Sequence, residues 1–270
     1  MLIWLASYPR SGNTLTRAIL KRCFGADSYS IYSHSGPDRL AAFTGHRAFE
    51  GTVDELIETA RASDAPWFVK THRMEPPGDR MIYVARDGRA AMASYRRFQR
   101  SINGLEFPIE QFVLGAEPIE SWRDHIAWGL GRDGDTTLVL RYEDLVHPDN
   151  KLLDRISRFI GLPVLRPFDL SFAELRAAHP GLFGAGHNGP GIEAVESACP
   201  ALFWLLNGEA MRELGYTDRA RHWSVYLVRE AMDEMTRHVA RQTATLRNLE
   251  SSTAGRESVA SDGAGERSRC

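Results

Sequence analysis

YPRSGNT, residues 8–14, lies between the apolar run MLIWLAS at 1–7 and the segment LTRAILKRCF at 15–24, which has the pattern of a helix. The apolar run lacks helical spacing and ends at a Pro, Ser and Gly turn, so it predicts a buried strand. The first N–H groups of a helix have no partner within the helix and carry a partial positive charge. Because Arg10 and Ser11 stand at this helix start, the sequence predicts an anion site there.

Strands and helices alternate through the next hundred residues or so. The turn-rich segment 26–51 interrupts this alternation and is predicted to be an excursion over the site. A second insert, 101–117, is predicted to be a loop that helps to shape the acceptor pocket. The alternation indicates an α/β fold with a mostly parallel sheet, whose ligands bind at the carboxyl ends of the strands. The predicted strands are WFVKT, RMIYVA and TLVLRY (67–71, 80–85 and 137–142), and the predicted helices are TVDELIETARAS, DGRAAMASYRRFQR, IESWRDHIAWGL and NKLLDRISRFIGL (52–63, 87–100, 119–130 and 150–162).

Composition narrows the class of protein. The chain has 270 residues with 43% apolar content, enough for one substantial core, and a net charge of −2, which argues against a broad nucleic-acid footprint or a polybasic membrane surface. Its three cysteines show no paired metal-type spacing, which fits a reducing compartment. The N-terminus lacks a basic region, and no apolar run approaches the roughly 18 residues of a membrane span. We therefore expect a cytoplasmic protein.

Charged and polar residues follow two further strands. Arg86 ends the strand RMIYVA, where a guanidinium leaving a core needs a partner, and Ser94 lies two helical turns further on. Lys70 and His72, in KTHRMEP, point to the same face of their strand and can converge on one centre. A lone histidine is more often a satisfied core residue, but the adjacent lysine favours a catalytic pair.

These motifs together resemble the sulfotransferases that use 3′-phosphoadenosine 5′-phosphosulfate (PAPS). YPRSGNTL resembles their 5′-phosphosulfate loop, YVARDGRAAMASYRRF their 3′-phosphate strand and helix, and KTHRMEP their Lys-Thr/Ser-His segment. LVLRYEDLVHPDN resembles the strand whose tyrosine lies near the adenine, here Tyr142, although a core tyrosine explains that residue nearly as well. The resemblance implies a P-loop NTPase-like three-layer fold.

The resemblance also implies the roles of individual residues. His72 would be the general base, with Lys70 and Arg10 at the transferred group, and no metal would be required. PAPS would be the co-substrate, and the acceptor would be a hydroxyl of a small molecule, glycan or lipid. The implied nucleotide-binding residues are Arg10, Ser11, Gly12, Asn13, Thr14, Leu15, Arg86, Ser94 and Tyr142.

One family motif is altered, and it keeps two alternatives open. The Arg-Lys-Gly-x-x-Gly segment that closes over the 3′-phosphate has as its nearest candidate FGAGHNGPG at 183–191, which lacks both cations. Asn13 and Leu15 also replace the usual Thr and Trp. The alternatives are a phosphotransferase on the same scaffold, which the absence of a Gly-Lys-Ser/Thr loop disfavours, and a catalytically degenerate nucleotide-binding assembly protein.

The C-terminal part has a different character. We expect a sulfotransferase domain over 1–218, an amphipathic helix over 219–250 and a disordered tail over 251–270, which is rich in Ser and Gly. The helix either forms a homodimer seam or packs on its own domain. The seam positions are Val225, Val228, Met232, Met235, Val239, Gln242, Leu246 and Leu249.

Overall fold

The chain forms a three-layer α/β structure around a five-stranded parallel sheet. The computed structural model describes residues 1–32, 38–75, 78–178, 183, 189–216 and 225–262. The strands are β1 (Leu2–Ser7), β2 (Ser28–Ser30), β3 (Trp67–Thr71), β4 (Arg80–Ala85) and β5 (Thr137–Arg141), in the order β2-β3-β1-β4-β5. The predicted fold class, an α/β three-layer fold with a parallel sheet and a C-terminal helical extension, is confirmed.

Twelve helices surround the sheet within the described residues. They are α1 (Asn13–Phe24), α2 (Asp38–Thr44), α3 (Val53–Ala62), α4 (Gly88–Ile102), α5 (Ile109–Leu114), α6 (Trp122–Leu130), α7 (Tyr142–Val146), α8 (Asn150–Ile160), α9 (Phe172–Ala178), α10 (Gly189–Ala198), α11 (Pro200–Glu213) and α12 (Val225–Asp262). None of these helices combines the length and the apolar character needed to cross a bilayer.

The sheet is buried on both faces, as a parallel sheet requires. Every residue of β1 is buried, and its side chains alternate between two apolar clusters. Leu2, Trp4 and Ala6 belong to the cluster that includes α4, α6 and α11. Ile3 and Leu5 belong to the cluster that includes α1 and α8.

The parallel register aligns the strand ends that carry the candidate site. Ala6 of β1 pairs with Thr71 of β3, Ser7 pairs with Val84 of β4, and Ala85 pairs with Arg141 of β5. The residues that follow these strands therefore emerge along one edge of the sheet.

Helix α12 packs on its own domain mainly through residues outside the predicted seam, although the seam residue Met235 also packs against the core. Ala231 is buried, and the buried carboxylate of Glu234 accepts hydrogen bonds from the N–H groups of Ala201 and Leu202 (3.2 and 2.7 Å) at the start of α11. Met232 and Val239 are 65% and 55% exposed. The helix thus uses one face inside the domain, and the homodimer remains a prediction.

The ends of the predicted seam and the tail are less fully described. The side chains of Val225, Leu246 and Leu249 lie outside the described part of the structure. The helical backbone continues to Asp262, past the expected boundary at residue 250. Residues 263–270 lie outside the described residues, and the disordered tail stays a prediction.

Candidate active site

The loop between β1 and α1 has the backbone of an anion cradle. Arg10 has a φ of 68° and Gly12 a φ of 121°, both in the left-handed half of conformational space. The Ser11 N–H donates to the Tyr8 carbonyl at 3.1 Å, which closes the turn. Gly12, the residue before α1, has no side chain to cap the helix start, and no described side chain takes its place. The first N–H groups of this 12-residue helix are therefore available to a bound anion.

Gly12 is required by both conformation and space. A Cβ built at this position would lie 2.9 Å from Cδ2 of Tyr142 and 3.3 Å from Cγ1 of Val84. Tyr142 is itself buried against the loop, so it has little room to withdraw. The loop therefore reaches its conformation only with glycine at this position.

We expect Gly12→Ala to destabilise the protein and to weaken nucleotide binding. The strain and the contact with Tyr142 should cost about 1–2 kcal/mol of unfolding free energy, which corresponds to a fall of about 2–4 °C in Tm for a chain of this size. Affinity for 3′-phosphoadenosine 5′-phosphate (PAP) should fall by about tenfold or more, because the displaced N–H groups no longer point into the loop. Thermal unfolding and calorimetry measure both effects.

Gly134→Ala is the matched control, since a Cβ at Gly134 meets nothing within 4 Å and its φ lies outside the left-handed range. If Gly12→Ala behaved like Gly134→Ala in both assays, the cradle would not depend on this conformation.

The side chains of the loop divide into two groups. The Ser11 hydroxyl is buried without a hydrogen-bond partner in the described structure, so it is available to an acceptor that a ligand would bring. The Asn13 amide instead donates to the Leu5 carbonyl at 2.6 Å, and Leu15 is buried in the core cluster of α1. Thr14 is half-buried. Asn13 and Leu15 can therefore contribute to the predicted site through their backbone N–H groups.

Arg86 joins the β4 end to the loop. Its Nη1 donates to the carbonyl of Arg10 at 2.9 Å, and its guanidinium lies 4.0 Å above the ring of Tyr142. Burial lowers the pKa of Arg86 from its ordinary value.

Tyr142 was predicted at the end of a strand but begins the helix α7. Ser94 is buried in the first half of α4.

Arg10 itself is held among other cations. Its guanidinium lies 5.1 Å from the centre of the Phe98 ring. Burial, together with the charges of Arg86 and Arg97, lowers the pKa of Arg10 to about 10. The loop and the β4 end thus share a positive potential, which favours a ligand with several negative charges.

Lys70 and His72 emerge from β3 on the same face, beside this loop. Burial, followed by the charges of Arg17 and Arg10, lowers the pKa of Lys70 to about 8. The Lys70 ammonium lies 5.1 Å from the centre of the Tyr32 ring. Burial and the charge of Lys70 lower the pKa of His72 to about 3, so its imidazole is neutral at physiological pH.

The hydrogen bonds of His72 fix its tautomer. Its Nδ1 lies 2.8 Å from the Ser7 carbonyl, which can only accept, so Nδ1 carries the proton. Nε2 then has a free lone pair, and no hydrogen bond from the described part of the chain reaches it. The Tyr32 hydroxyl accepts from the His72 N–H at 2.8 Å and holds the backbone in place. The geometry therefore leaves Nε2 able to accept a proton.

A buried network supports His72 from behind. Nε2 of His125 donates to the His72 carbonyl at 3.1 Å, and the Tyr83 hydroxyl lies 2.9 Å from Nδ1 of His125. Burial lowers the pKa of His125 to about 4, so this ring also stays neutral. The sequence motifs did not single out Tyr83 or His125. A histidine on the apolar face of SWRDHIAW was the one available signal for His125.

The structure thus brings together most of the predicted site residues at the carboxyl edge of the sheet. Of the altered motif at 183–191, residues 184–188 lie outside the described residues, while Phe183 is buried and 189–191 open α10. Within the described ranges, no group of three or more His, Cys, Asp or Glu side chains is placed to hold a metal ion.

Curated sulfotransferases are similar in sequence to part of this chain. Sulfotransferase 1C2 of Homo sapiens is 31% identical over 123 residues, 40% of this chain and 42% of that protein. Cytosolic sulfotransferase 1 of Danio rerio is 25% identical over 177 residues, 59% of each protein. The chain therefore spans about two fifths to three fifths of the length of these curated relatives.

Solved structures with low identity have the same fold. The structure of mouse sulfotransferase SULT7A1 complexed with PAP has a TM-score of 0.56 at 20% identity, covering 79% of this chain and 85% of that one. A retinol dehydratase in a complex with retinol and PAP has a TM-score of 0.54 at 17% identity, covering 81% and 82% of the two chains.

The family match spans the site described above. The sulfotransferase domain matches residues 2–178, which include β1 to β5 and every predicted site residue. This chain belongs to the sulfotransferase domain family.

Proposed function

We propose that the protein transfers a sulfuryl group from PAPS to an acceptor hydroxyl. The observation that carries this proposal is the convergence of Arg10, Lys70 and the lone pair of His72 beside an uncapped helix start. Cations and N–H groups suit an anionic leaving group, and a neutral imidazole suits an acceptor proton.

The residues present fit a doubly phosphorylated nucleotide. The buried Ser11 hydroxyl has no partner in the described structure, and the cradle at Gly12 has no room for a side chain. Arg86 and Ser94 would hold the 3′-phosphate, while the N–H groups of Gly12 to Leu15 would hold the 5′-phosphate. Tyr142, packed on both Arg86 and Gly12, would lie against the adenine. When bound, PAPS would supply the sulfuryl group, and PAP would leave with the bridging oxygen on its 5′-phosphate.

The protein side chains then have separate tasks. His72, fixed by the Ser7 carbonyl, accepts the proton of the acceptor hydroxyl at Nε2. Lys70 and Arg10 stabilise negative charge that grows on the bridging oxygen. Tyr83 and His125 touch no reacting atom, and they position His72 through its carbonyl.

The proposed acceptor class is the one that the resemblance to the family implies. An imidazole with a free Nε2 suits a hydroxyl on a small molecule, a glycan or a lipid.

A homodimer through the exposed part of α12 belongs to the same proposal, with Met232 and Val239 as the available apolar contacts.

Two experiments test this function. The first compares the rise in Tm caused by PAP with that caused by ATP plus Mg²⁺. We expect PAP to raise Tm and ATP plus Mg²⁺ to leave it unchanged. Transfer of label from sulfur-labelled PAPS to a panel of hydroxyl acceptors is then read as a mass gain. Stabilisation by ATP plus Mg²⁺ alone would favour the phosphotransferase alternative, which the family match disfavours. PAP binding without transfer to any acceptor would favour the degenerate alternative.

The pH dependence of activity should show the titration of Lys70 but not that of His72. The pKa of Lys70, lowered to about 8, means that its positive charge is present below this pH and is lost above it. We therefore expect kcat/KM for PAPS to fall as the pH rises through about 8. Because the pKa of His72 is lowered to about 3, no loss of activity is expected between about pH 5 and 7.

Lys70→Arg should move the alkaline fall upward, since a guanidinium keeps its charge. Lys151→Arg, at an exposed lysine, should leave the profile unchanged. An acidic limb near pH 6 that disappears in a His72 variant would contradict the assignment of a neutral, strongly shifted imidazole.

A further inference from the structure

Arg17, in α1, is a buried cation that the proposed donor site does not use. Its side chain is 5% exposed, and its Nε donates to the Ser28 hydroxyl at 2.8 Å. Its Nη2 is buried without a hydrogen-bond partner in the described structure. Burial lowers the pKa of Arg17 to about 10, and no carboxylate among the described residues counteracts this effect.

Such a charge is costly in the unliganded protein. A buried ion without a counter-ion loses its hydration, and one hydroxyl satisfies only one of the five N–H donors of a guanidinium. An apolar side chain of similar volume at a buried ionic position is often neutral or stabilising. The retained charge therefore points to an anion that arrives with a ligand.

A second unpartnered group lies beside Arg17. Nδ1 of His46 is buried without a hydrogen-bond partner among the described residues. Burial, followed by the charges of Arg17 and Lys70, lowers the pKa of His46, so it stays neutral and does not add to the repulsion. Its backbone bridges to Ser28, the residue that holds Arg17.

The strand order shows which ligand this anion would belong to. Arg10, Arg86 and Tyr142 follow β1, β4 and β5, on one side of β3. The side chain of Arg17 is hydrogen-bonded to Ser28 of β2, which lies on the other side of β3. Ser30 of the same strand pairs with Lys70. Lys70 therefore lies between the proposed donor site and Arg17.

We propose that Arg17 and His46 form a subsite for an anionic group of the acceptor, so that the acceptor is a hydroxyl compound carrying a carboxylate or a phosphate. This rests on the proposed function, since it names the class of acceptor. Arg10 and Lys70 already match the negative charges of the phosphosulfate, so Arg17 is a further buried cation that the donor does not need. A guanidinium binds either oxyanion through paired N–H donors.

The test uses protein saturated with PAPS in the absence of an acceptor, so that the sulfonate occupies the place beside Arg10 and Lys70. Sodium acetate and sodium methylphosphonate are titrated at constant ionic strength and followed by calorimetry. At least one of them is expected to bind the wild type, and Arg17→Met should weaken that anion about tenfold or more. The better of the two probes shows whether the subsite takes a carboxylate or a phosphate.

Three comparisons make the outcome decisive. Arg17→Lys should keep part of the affinity. Arg22→Met, at a half-buried arginine of the same helix that pairs with Asp169, should keep all of it. Unliganded Arg17→Met should unfold at the wild-type temperature or above, whereas a purely structural Arg17 would lower it. Neither anion binding to the wild type, or equal binding by Arg17→Met, would overturn the proposal.

The proposed function is tested separately in the same titrations. The affinity for PAP should be unchanged in Arg17→Met. A protein that ignores PAPS and PAP but binds acetate or methylphosphonate through Arg17 would refute sulfuryl transfer and support the anion subsite.

Discussion

His72→Ala is expected to lower kcat by about 10²-fold or more while the affinity for PAP changes by less than about twofold. The reason is that Nε2 of His72 would accept the acceptor proton, whereas its Nδ1 is committed to the Ser7 carbonyl at 2.8 Å. Single-turnover transfer of labelled sulfuryl groups measures the rate, and calorimetry with PAP measures the affinity.

A second substitution separates the base from its structural role. In His72→Asn, the side-chain amide can still donate to the Ser7 carbonyl, but it offers no basic nitrogen. Equal losses in the alanine and asparagine variants would assign the effect to the missing base. His147→Ala, at an exposed histidine, serves as the control. A turnover in His72→Asn close to that of the wild type would remove His72 from the base role.

Arg86→Met is expected to weaken PAP binding by about 50-fold or more, because it removes a charge-assisted contact and the donor to the Arg10 carbonyl. Arg86→Lys should recover only part of the affinity. A lysine ammonium keeps the charge but lacks the planar fork that can serve a carbonyl and a phosphate at once.

The comparison of PAP with AMP isolates the 3′-phosphate. Wild-type protein should prefer PAP, and Arg86→Met should lose most of that preference. If the ratio of the two affinities were the same in both proteins, Arg86 would act on the loop and not on the 3′-phosphate.

The strands of the sheet were predictable where burial dominates. β3 and β4 begin and end at the predicted residues, because apolar runs bounded by charges and turns leave few alternatives. The edge strand β2 was missed, since Ser28 to Ser30 carry no apolar pattern and become a strand by pairing with β3. The short helix α5 was missed within a segment predicted as a loop.

The candidate site was predictable where a motif lies next to a strand end. The positions of Arg10, Arg86 and Lys70 followed from local sequence and the rule for parallel sheets. The hydrogen bond that supports His72 was not predictable. Its donor, His125, lies 53 residues away and contacts the His72 carbonyl only in the folded chain. The surplus charge of Arg17 also became visible only once its surroundings were known.

Arg86 holds the carbonyl of Arg10, a non-glycine residue with a φ of 68°. The group proposed for the far phosphate of the nucleotide therefore also braces the peptide that frames the reaction centre. A contact between Arg86 and the 3′-phosphate can therefore change the position of the Arg10 peptide beside the scissile bond. A donor that lacks its 3′-phosphate should consequently react slowly even at saturation, so that the enzyme would reject wrong nucleotides in kcat as well as in KM.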